Sequence, residues 1–266
     1  MTATLEQRPA PDAVDYRQSH AAPDYGRRYQ GTYERGYYYY QWKYIERELL
    51  RSVLRQARRD GHQTCLDFAC GTGRITQITA EMFPAPHGVD VSESMLDIAR
   101  REVPQATFVR QDITREPLDR QYDVITAFRF FTNAEDNLRR EALRAIHNTL
   151  SDHGTFITNI HVNRDSITGR AHRVRNWLRR RVIQQVVGHD QLQALLHEHG
   201  FEIVRTHWYS FLPRTGWHLS WLPKFTMKAV EFLCAGRFWC PQSLASSFLV
   251  ECRKRPMTSA AITPGR

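Results

Sequence analysis

Two carboxylates and a pair of glycines are spaced as in a site that binds a nucleotide cofactor. The apolar stretch 65–68, which contains Asp67, runs into a turn that contains Gly71 and Gly73. Because glycine has no Cβ, this turn can bring backbone N–H groups against a ligand at the positive end of the following helix. Asp90 ends a second apolar stretch, a position where an acid commonly holds ribose hydroxyls. The pattern therefore predicts a nucleotide-cofactor loop.

This loop differs from the loop of dinucleotide-binding proteins. Counted from Gly71, the position of their third glycine is occupied by Thr76, and an acid, Asp67, precedes the first glycine. NAD is therefore the weaker interpretation. The stretch 67–73, Asp-Phe-Ala-Cys-Gly-Thr-Gly, resembles the first motif of the class I S-adenosylmethionine (SAM) dependent methyltransferases, where Asp-x-Ala-Cys-Gly-Thr-Gly is common. A glycine turn without a ligand is the alternative.

The resemblance covers residues 40–254 and implies a set of cofactor-binding residues: Asp67, Ala69, Gly71, Gly73, Asp90, Val91, Asp112, Ile113 and Phe128. It implies that Asp67 orders the loop, that the two glycines hold the methionine end of SAM, and that Asp90 binds the ribose. Asp112 and Ile113 would hold adenine, although Asp112 could instead be an ordinary cap. Phe128 would offer its backbone carbonyl to the methionine ammonium group.

The reaction implied by the resemblance is a displacement, in which an acceptor atom attacks the methyl carbon of the sulfonium. Alignment supplies much of the rate, and a general base adds about 10²- to 10⁴-fold when the acceptor is a hydroxyl. His161, at the end of a predicted strand, is the first candidate for this base and His172 the second; a structural histidine is the alternative. Arg129, Asn133 and Tyr37 are predicted to face the acceptor.

The loop 129–133 lacks the motifs of several methyltransferase classes, and this absence restricts the range of predicted acceptors. Enzymes that methylate exocyclic amines of bases or glutamine amides typically carry Asn/Asp-Pro-Pro-aromatic there, and cytosine C5 enzymes carry Pro-Cys; neither pattern is present. The paired-glutamate loop of protein arginine methyltransferases is also missing. A small-molecule, sugar or lipid acceptor remains, with oxygen favoured over nitrogen. An RNA methyltransferase and a noncatalytic SAM-binding protein stay open as alternatives.

A sheet must bring these residues together at the ends of its strands. Apolar runs that read as strands end near residues 68, 92, 113, 128, 161, 212 and 252, and segments of helical period lie between most of them. This alternation predicts an α/β fold with a doubly wound, Rossmann-like, mostly parallel seven-stranded sheet. An N-terminal helical segment and helical cap insertions would complete it.

The predicted organisation has four parts. Residues 1–20 form a disordered tail, residues 21–61 an aromatic lid and helix, residues 62–254 the SAM-binding domain, and residues 255–266 a second disordered tail. The lid tyrosines would meet the sulfonium or simply pack the outer helix. The domain carries insertions over 163–187 and 213–242. The second insertion is apolar, which predicts a cap over the acceptor, a lipid contact, or a local packing unit.

Composition indicates a single catalytic domain in a reducing compartment. The chain has 266 residues, of which 41% are hydrophobic, and neither a long apolar run nor a signal-peptide core is present. The protein is therefore predicted to be soluble and cytoplasmic. Five cysteines, an odd number, do not suit a disulfide framework. Cys234 and Cys240 lack partner ligands, so no metal site is expected.

The net charge of +9 comes almost wholly from arginine. Six arginines lie between Arg170 and Arg181, and no acid occurs between Asp165 and Asp190. This cluster predicts a contact with phosphate or with an anionic membrane, which would place the protein peripherally at the inner face of a membrane. A solvated helical face is the alternative, and nucleic acid is the less favoured partner.

Overall fold

The computed structural model describes residues 16–17, 26, 37–179, 185–211, 224–235, 241 and 244–255. Its seven strands are β1 (Cys65–Phe68), β2 (His87–Asp90), β3 (Thr107–Arg110), β4 (Tyr122–Ala127), β5 (Leu150–Ile160), β6 (Phe201–Tyr209) and β7 (Ser247–Lys254). They form one sheet in the order β3-β2-β1-β4-β5-β7-β6. Pairing is parallel from β3 to β5, and β7 is antiparallel to both of its neighbours. The predicted α/β fold is confirmed.

Helices cover both faces of this sheet. They are α1 (Tyr37–Gln41), a π-helical segment (Trp42–Glu46), α2 (Arg47–Arg59), α3 (Arg74–Ala80), α4 (Glu93–Glu102), α5 (Asp136–Thr149), α6 (Ile167–Leu178), α7 (His189–Glu198) and α8 (Lys224–Ala235). β1 pairs with both β2 and β4, so the order of the strands reverses beside β1. In open α/β sheets, ligands bind at this switch point, outside the carboxyl ends of the strands.

Two hydrophobic clusters form because successive residues of a strand point to opposite faces of the sheet. Leu66 and Ile125 join the cluster under α5, whereas Cys65 and Val124 join the cluster under α2. The inner face of α2 follows the helical period of the sequence, with Leu50, Val53, Leu54 and Ala57 all buried. These faces hold β1 and β4 between two layers of helices, which fixes the strand ends that carry the site.

Several boundaries differ from the sequence-based expectation. β5 begins at Leu150, which pairs with Tyr122 before a register shift. β3 ends at Arg110, so Asp112 lies in the following loop. β6 ends at Tyr209, where Ser210 adopts a left-handed backbone conformation. Within the described ranges, every helix is too short or too polar to traverse a bilayer.

The predicted domain boundaries fall partly outside the described residues. Tyr16 and Arg17 belong to the predicted N-terminal tail, yet they adopt helical conformation against the body of the protein. α6 lies in the first predicted insertion and α8 in the second. The rest of both tails, most of residues 21–36 and the remainder of the 213–242 insertion lie outside the described residues. The domain boundaries therefore stay predictions.

Candidate functional site

Backbone strain marks the carboxyl edge of the sheet. Three non-glycine residues with positive φ, among those that the structure describes, are Ala69 at 53°, Arg129 at 59° and Ser210 at 62°. Each follows the carboxyl end of a strand, respectively β1, β4 and β6, and these three strands run in the same direction. Such conformations cost about 1–3 kcal/mol each and cluster at functional sites. The edge from β1 to β6 is therefore the candidate site.

The glycine loop is shaped by left-handed backbone and by close packing against α4. Gly71 has φ 55° and Gly73 has φ 78°, and a Cβ on Gly73 would lie 3.0 Å from the Cβ of Ala99. The N–H of Gly71 donates to Asp90 Oδ2 at 2.8 Å, and the N–H of Gly73 donates to the carbonyl oxygen of Cys70 at 3.0 Å. These two N–H groups are thus used within the protein, whereas the sequence predicted that such groups face the ligand. That the two glycines hold the methionine end stays a prediction.

Asp67 orders the loop from beneath. Its side chain is buried and accepts hydrogen bonds from Thr76 Oγ1 at 2.6 Å and from Thr126 Oγ1 at 2.8 Å. Burial raises the pKa of Asp67 to about 7, in spite of these hydrogen bonds, which lower it. Thr76 stands where a dinucleotide-binding loop has its third glycine. Thr76, which distinguishes this loop from a dinucleotide-binding loop, therefore donates the hydrogen bond that connects β1 to α3.

A pocket crosses the ends of β1, β2 and β3. Five of the nine predicted cofactor-binding residues line it together: Ala69, Asp90, Val91, Asp112 and Ile113. Asp90 is tightly held, because Ser92 N–H donates to its Oδ1 at 2.8 Å while the glycine loop donates to its Oδ2. Asp112 accepts from the N–H of Thr114 at 3.1 Å and from its hydroxyl at 2.6 Å, as in a local cap. Phe68, Phe130, Tyr16 and Arg17 also line the pocket.

A buried polar network occupies the neighbouring ends of β4, β5 and β6. Glu46 Oε2 pairs with Arg129 Nη2 at 3.0 Å, and both side chains are buried. Asn159 Nδ2 donates to Glu46 Oε1 at 2.5 Å, and the hydroxyl of Tyr209 donates to the same oxygen at 2.9 Å. Asn159 Oδ1 accepts from the strained backbone N–H of Arg129 at 2.8 Å. Burial, and then the charge of Glu46, raise the pKa of Tyr209 well above its usual value.

The N-terminal helical segment brings Glu46 into this network. Glu46 is the last residue of the π-helical segment, a rare backbone form that occurs frequently at functional sites. In the same segment, the Trp42 ring lies 4.9 Å from the guanidinium carbon of Arg74, directly after the glycine loop. Gly26, in the predicted lid, packs so closely that a Cβ would lie 2.6 Å from the carbonyl oxygen of Ser94. The N-terminal helical segment therefore contacts both the end of the glycine loop and the strand ends.

Sequence reasoning missed Glu46, Asn159 and Tyr209. Two of them carried a detectable signal. Glu46 directly follows Ile45 in a segment whose period indicates a buried face, and Asn159 interrupts an apolar strand. A buried acid or amide requires a partner. Such positions in predicted core segments are therefore candidates for a site.

Of the residues predicted to face the acceptor, Arg129 belongs to this network and Asn133 contacts it. The guanidinium of Arg129 is buried against Glu46, and Asn133 Nδ2 donates to the carbonyl oxygen of Arg129 at 2.6 Å. His161 is buried directly after β5, and Ser247 Oγ donates to its carbonyl oxygen at 3.3 Å.

The remaining predicted residues are Phe128, Tyr37 and His172. Phe128 is buried in the cluster under α2. Tyr37 begins α1, but its side chain lies outside what the structure describes, and His172 lies on α6. No group of three or more histidine, cysteine or acidic side chains in the described ranges is arranged to hold a metal ion.

A family model described as a methyltransferase domain matches residues 41–206. The chain belongs to this methyltransferase domain family. The match begins at the end of α1 and ends within β6, so it covers the glycine loop, the pocket residues that follow β1, β2 and β3, and Glu46, Arg129 and Asn159 of the buried network. The predicted family, class I SAM-dependent methyltransferases, and its cofactor, SAM, are thereby confirmed at the level of the family.

Two curated relatives of this methyltransferase domain share about a third of their residues with it over part of their length. Malonyl-[acyl-carrier protein] O-methyltransferase of Bacillus cereus is 33% identical over 106 residues, which cover 36% of this chain and 39% of the relative. dTDP-4-amino-2,3,4,6-tetradeoxy-D-glucose N,N-dimethyltransferase of Saccharopolyspora spinosa is 33% identical over 96 residues, 35% of this chain and 36% of the relative. The chain thus spans less than half the length of either relative.

A solved structure extends the likeness to nearly the whole fold. Magnesium protoporphyrin IX methyltransferase from Synechocystis PCC 6803, with bound S-adenosylhomocysteine (SAH), superposes with a TM-score of 0.59 at 16% identity. The alignment covers 90% of this chain and 97% of that one. At this identity the likeness shows the fold of the methyltransferase domain, in agreement with the observed strand order.

Proposed function

We propose that this protein transfers the methyl group of SAM to an oxygen atom of a small molecule, a sugar or a lipid. The observation that carries the proposal is that residues predicted from scattered motifs line one pocket at the switch point of the sheet. Asp90 would hold the ribose hydroxyls, while Asp112 and Ile113 would hold adenine. The methionine half would then extend along the glycine loop toward the end of β4.

The acceptor would bind beside the end of β4, where the loop after Phe128 begins. This part of the edge carries a dense set of hydrogen-bonding groups, namely those of Glu46, Arg129, Asn159 and Tyr209. Because these groups are buried and hydrogen-bonded to one another, they would hold the strand ends beside the acceptor in a fixed geometry, so that little reorganisation accompanies the reaction. The names of the two relatives, an O-methyltransferase and an N,N-dimethyltransferase of a sugar nucleotide, support an acceptor outside the nucleic acids and leave oxygen and nitrogen as the pair to be tested.

Transfer of a labelled methyl group tests the proposal. Labelled SAM is incubated with the protein and with cell extract separated into RNA, lipid and small-molecule fractions, with heat-inactivated protein as the control. Label is expected in the small-molecule or lipid fraction, in a bond that analysis of the product assigns to oxygen. Label confined to RNA would contradict the proposed acceptor, and absence of transfer to any fraction would favour a noncatalytic SAM-binding protein.

His161 is the proposed general base for the acceptor hydroxyl. It lies past the carboxyl end of β5, two residues after Asn159, which belongs to the buried network. We expect His161→Gln to lower kcat about 10²- to 10⁴-fold while the affinity for SAM changes little. His172→Gln, on the neighbouring helix α6, is the matched control and should retain most of the rate. Equal kcat values for the two variants would remove His161 from the mechanism.

Helix α6 is the proposed point of contact with an anionic membrane. The helix starts beside the acceptor edge, where Thr168 Oγ1 lies 3.3 Å from Ser246 Oγ. Its opposite side exposes four large apolar residues: Ile167, Val174, Trp177 and Leu178. Exposed arginines flank these residues: Arg170, Arg173, Arg175 and Arg179. An apolar stripe between arginines suits a helix that lies in the headgroup region of an anionic bilayer.

Sedimentation with vesicles checks this contact. The protein is expected to co-sediment with vesicles that contain phosphatidylglycerol and not with vesicles of phosphatidylcholine alone, and added salt should weaken binding. Trp177→Glu should abolish co-sedimentation, since Trp177 is 77% exposed on this face. Val204→Glu, at a residue of β6 that is 47% exposed, is the control and should bind like the unaltered protein. Binding of RNA in place of vesicles would overturn the proposed partner.

A further inference from the structure

Tyr16 and Arg17, which precede the N-terminal helical segment in the chain, form part of the pocket wall. Tyr16 and Arg17 line the same pocket as Asp90, Asp112 and Ile113, although they precede these residues by more than seventy positions in the chain. The Tyr16 ring meets the Phe130 ring edge to face, with 5.5 Å between the ring centroids. Because Tyr16 and Arg17 line this pocket beside Asp90 and Asp112, a nucleoside bound there would be in contact with them.

Arg17 joins the two sides of the pocket mouth. Its Nε donates to Asp112 Oδ2 at 2.7 Å, and its Nη2 donates to Thr114 Oγ1 and to Glu141 Oε2, each at 2.7 Å. Asp112 and Thr114 follow β3, whereas Glu141 lies on α5. The side chain of Arg17 is only 17% exposed, so these charge-assisted hydrogen bonds are largely shielded from water.

The contact also sets the state of Asp112. Burial raises the pKa of this carboxyl, but hydrogen bonds from Thr114 and the charge of Arg17 outweigh burial, so its pKa lies below the usual value. Asp112 is therefore an ionised acceptor with a fixed orientation at neutral pH. Its Oδ1 is held by Thr114 and its Oδ2 by Arg17. An exocyclic amino group on a purine would donate to such a carboxylate, and a carbonyl oxygen at the same position would be repelled by it.

We propose that Arg17 is a positioning residue of the cofactor site, which holds Asp112 for recognition of the adenine amino group while Tyr16 covers the base. This inference rests on the proposed assignment of the pocket to the nucleoside half of SAM. It predicts that the N-terminal segment contributes both to affinity and to discrimination between adenine and bases that lack the amino group.

A second arginine provides a control within the same structure. Arg115 also lies near Asp112 Oδ2, at 3.7 Å, but its side chain is 71% exposed and it does not line the pocket. Exposed pairs of this kind contribute little. A comparison of Arg17→Ala with Arg115→Ala therefore separates a buried positioning contact from the general effect of a positive charge near Asp112.

Calorimetric titration of the full chain with SAH, and competition by adenosine and by inosine, test the inference. Arg17→Ala should weaken SAH binding roughly tenfold and lower the preference for adenosine over inosine by a similar factor. Arg17→Lys should restore part of the preference, because an ammonium group cannot reach all three acceptors as the planar guanidinium does. Arg115→Ala should match the unaltered protein in both measurements. An unchanged preference in Arg17→Ala would overturn the inference, since a merely structural role lowers binding of both nucleosides equally.

Two further variants keep the outcomes distinguishable. If Arg17→Ala fails to fold, Glu141→Gln weakens the anchor on α5 without altering the pocket lining, and it should lower the same preference by a smaller factor. Asp90→Ala tests whether this pocket binds the nucleoside half of the cofactor. Unchanged SAH affinity in Asp90→Ala would refute the pocket assignment, whereas reduced affinity there with an unchanged preference in Arg17→Ala would refute only the role of Arg17.

Discussion

Replacing Asp90 with alanine is expected to weaken SAM binding by at least about 100-fold and to abolish methyl transfer at ordinary SAM concentrations. The carboxylate of Asp90 accepts hydrogen bonds from the backbone N–H groups of Gly71 and Ser92, and it is the proposed partner of the ribose hydroxyls. Loss of two or more hydrogen bonds to a charged group, about 1.5–3 kcal/mol each, is sufficient for this effect. Isothermal titration with SAM measures it directly.

Asp97→Ala is the matched control for this variant. Asp97 lies on α4, the helix that follows Asp90 in the chain. Its side chain is 58% exposed and pairs with Arg100 at 3.2 Å. Its removal should change SAM affinity less than twofold. Thermal unfolding of both variants establishes that the fold is retained. Equal SAM affinities for the two variants would show that the pocket at β2 is not the cofactor site.

Arg129→Ala is expected to lower the free energy of unfolding by about 3–5 kcal/mol, because it leaves Glu46 as an uncompensated charge in the interior. The side chains of Glu46 and Arg129 are only 1% and 6% exposed, and they lie 83 positions apart in the chain. The loss would detach the N-terminal helical segment from the end of β4, so methyl transfer should fall together with stability. Urea unfolding measures the first effect, and turnover at saturating SAM measures the second.

Two variants separate the charge from the backbone at this position. Arg129→Gly removes the same charge but relieves the left-handed strain, so it should be more stable than Arg129→Ala by about 1 kcal/mol. Arg100→Ala, which breaks pairs whose arginine is 40% exposed, should cost less than about 1 kcal/mol. A cost as small as that for Arg129→Ala would mean that Glu46 finds another partner or a proton, and that the network does not hold the segment in place.

The local part of the candidate site could be recognised in the sequence. Asp67, Gly71 and Gly73 lie within the stretch 67–73, and a carboxylate at the end of the next strand depends only on strand length and spacing. The alternation of strands and helices likewise follows from hydrophobic period, since each element must bury one face. For this reason the α/β fold and the family could be predicted before any tertiary contact was known.

The sequence pattern did not predict contacts between residues that are far apart in the chain. The tail composition of residues 1–20 resembles that of disordered segments, yet Arg17 binds acceptors 95 and 124 positions away. Similarly, Arg129 was expected to face an acceptor because of its place after β4, but its guanidinium is buried against Glu46. A sequence gives the position of a charged residue along the chain. The residue with which it pairs depends on which strands are neighbours in the sheet.

The amino-acid sequence by itself determined the glycine loop, the acid at the end of β2, the doubly wound sheet and membership of the methyltransferase family, because these depend on residues close together in the chain. Only the tertiary structure decided that Arg17 meets Asp112, and that Glu46, Arg129, Asn159 and Tyr209 form one network. Those contacts depend on the order β1-β4-β5-β7-β6 and on a π-helical segment that presents Glu46 inward. The physical reason is that an isolated charge or amide is unstable in the interior, so its pairing is a property of the whole packed sheet.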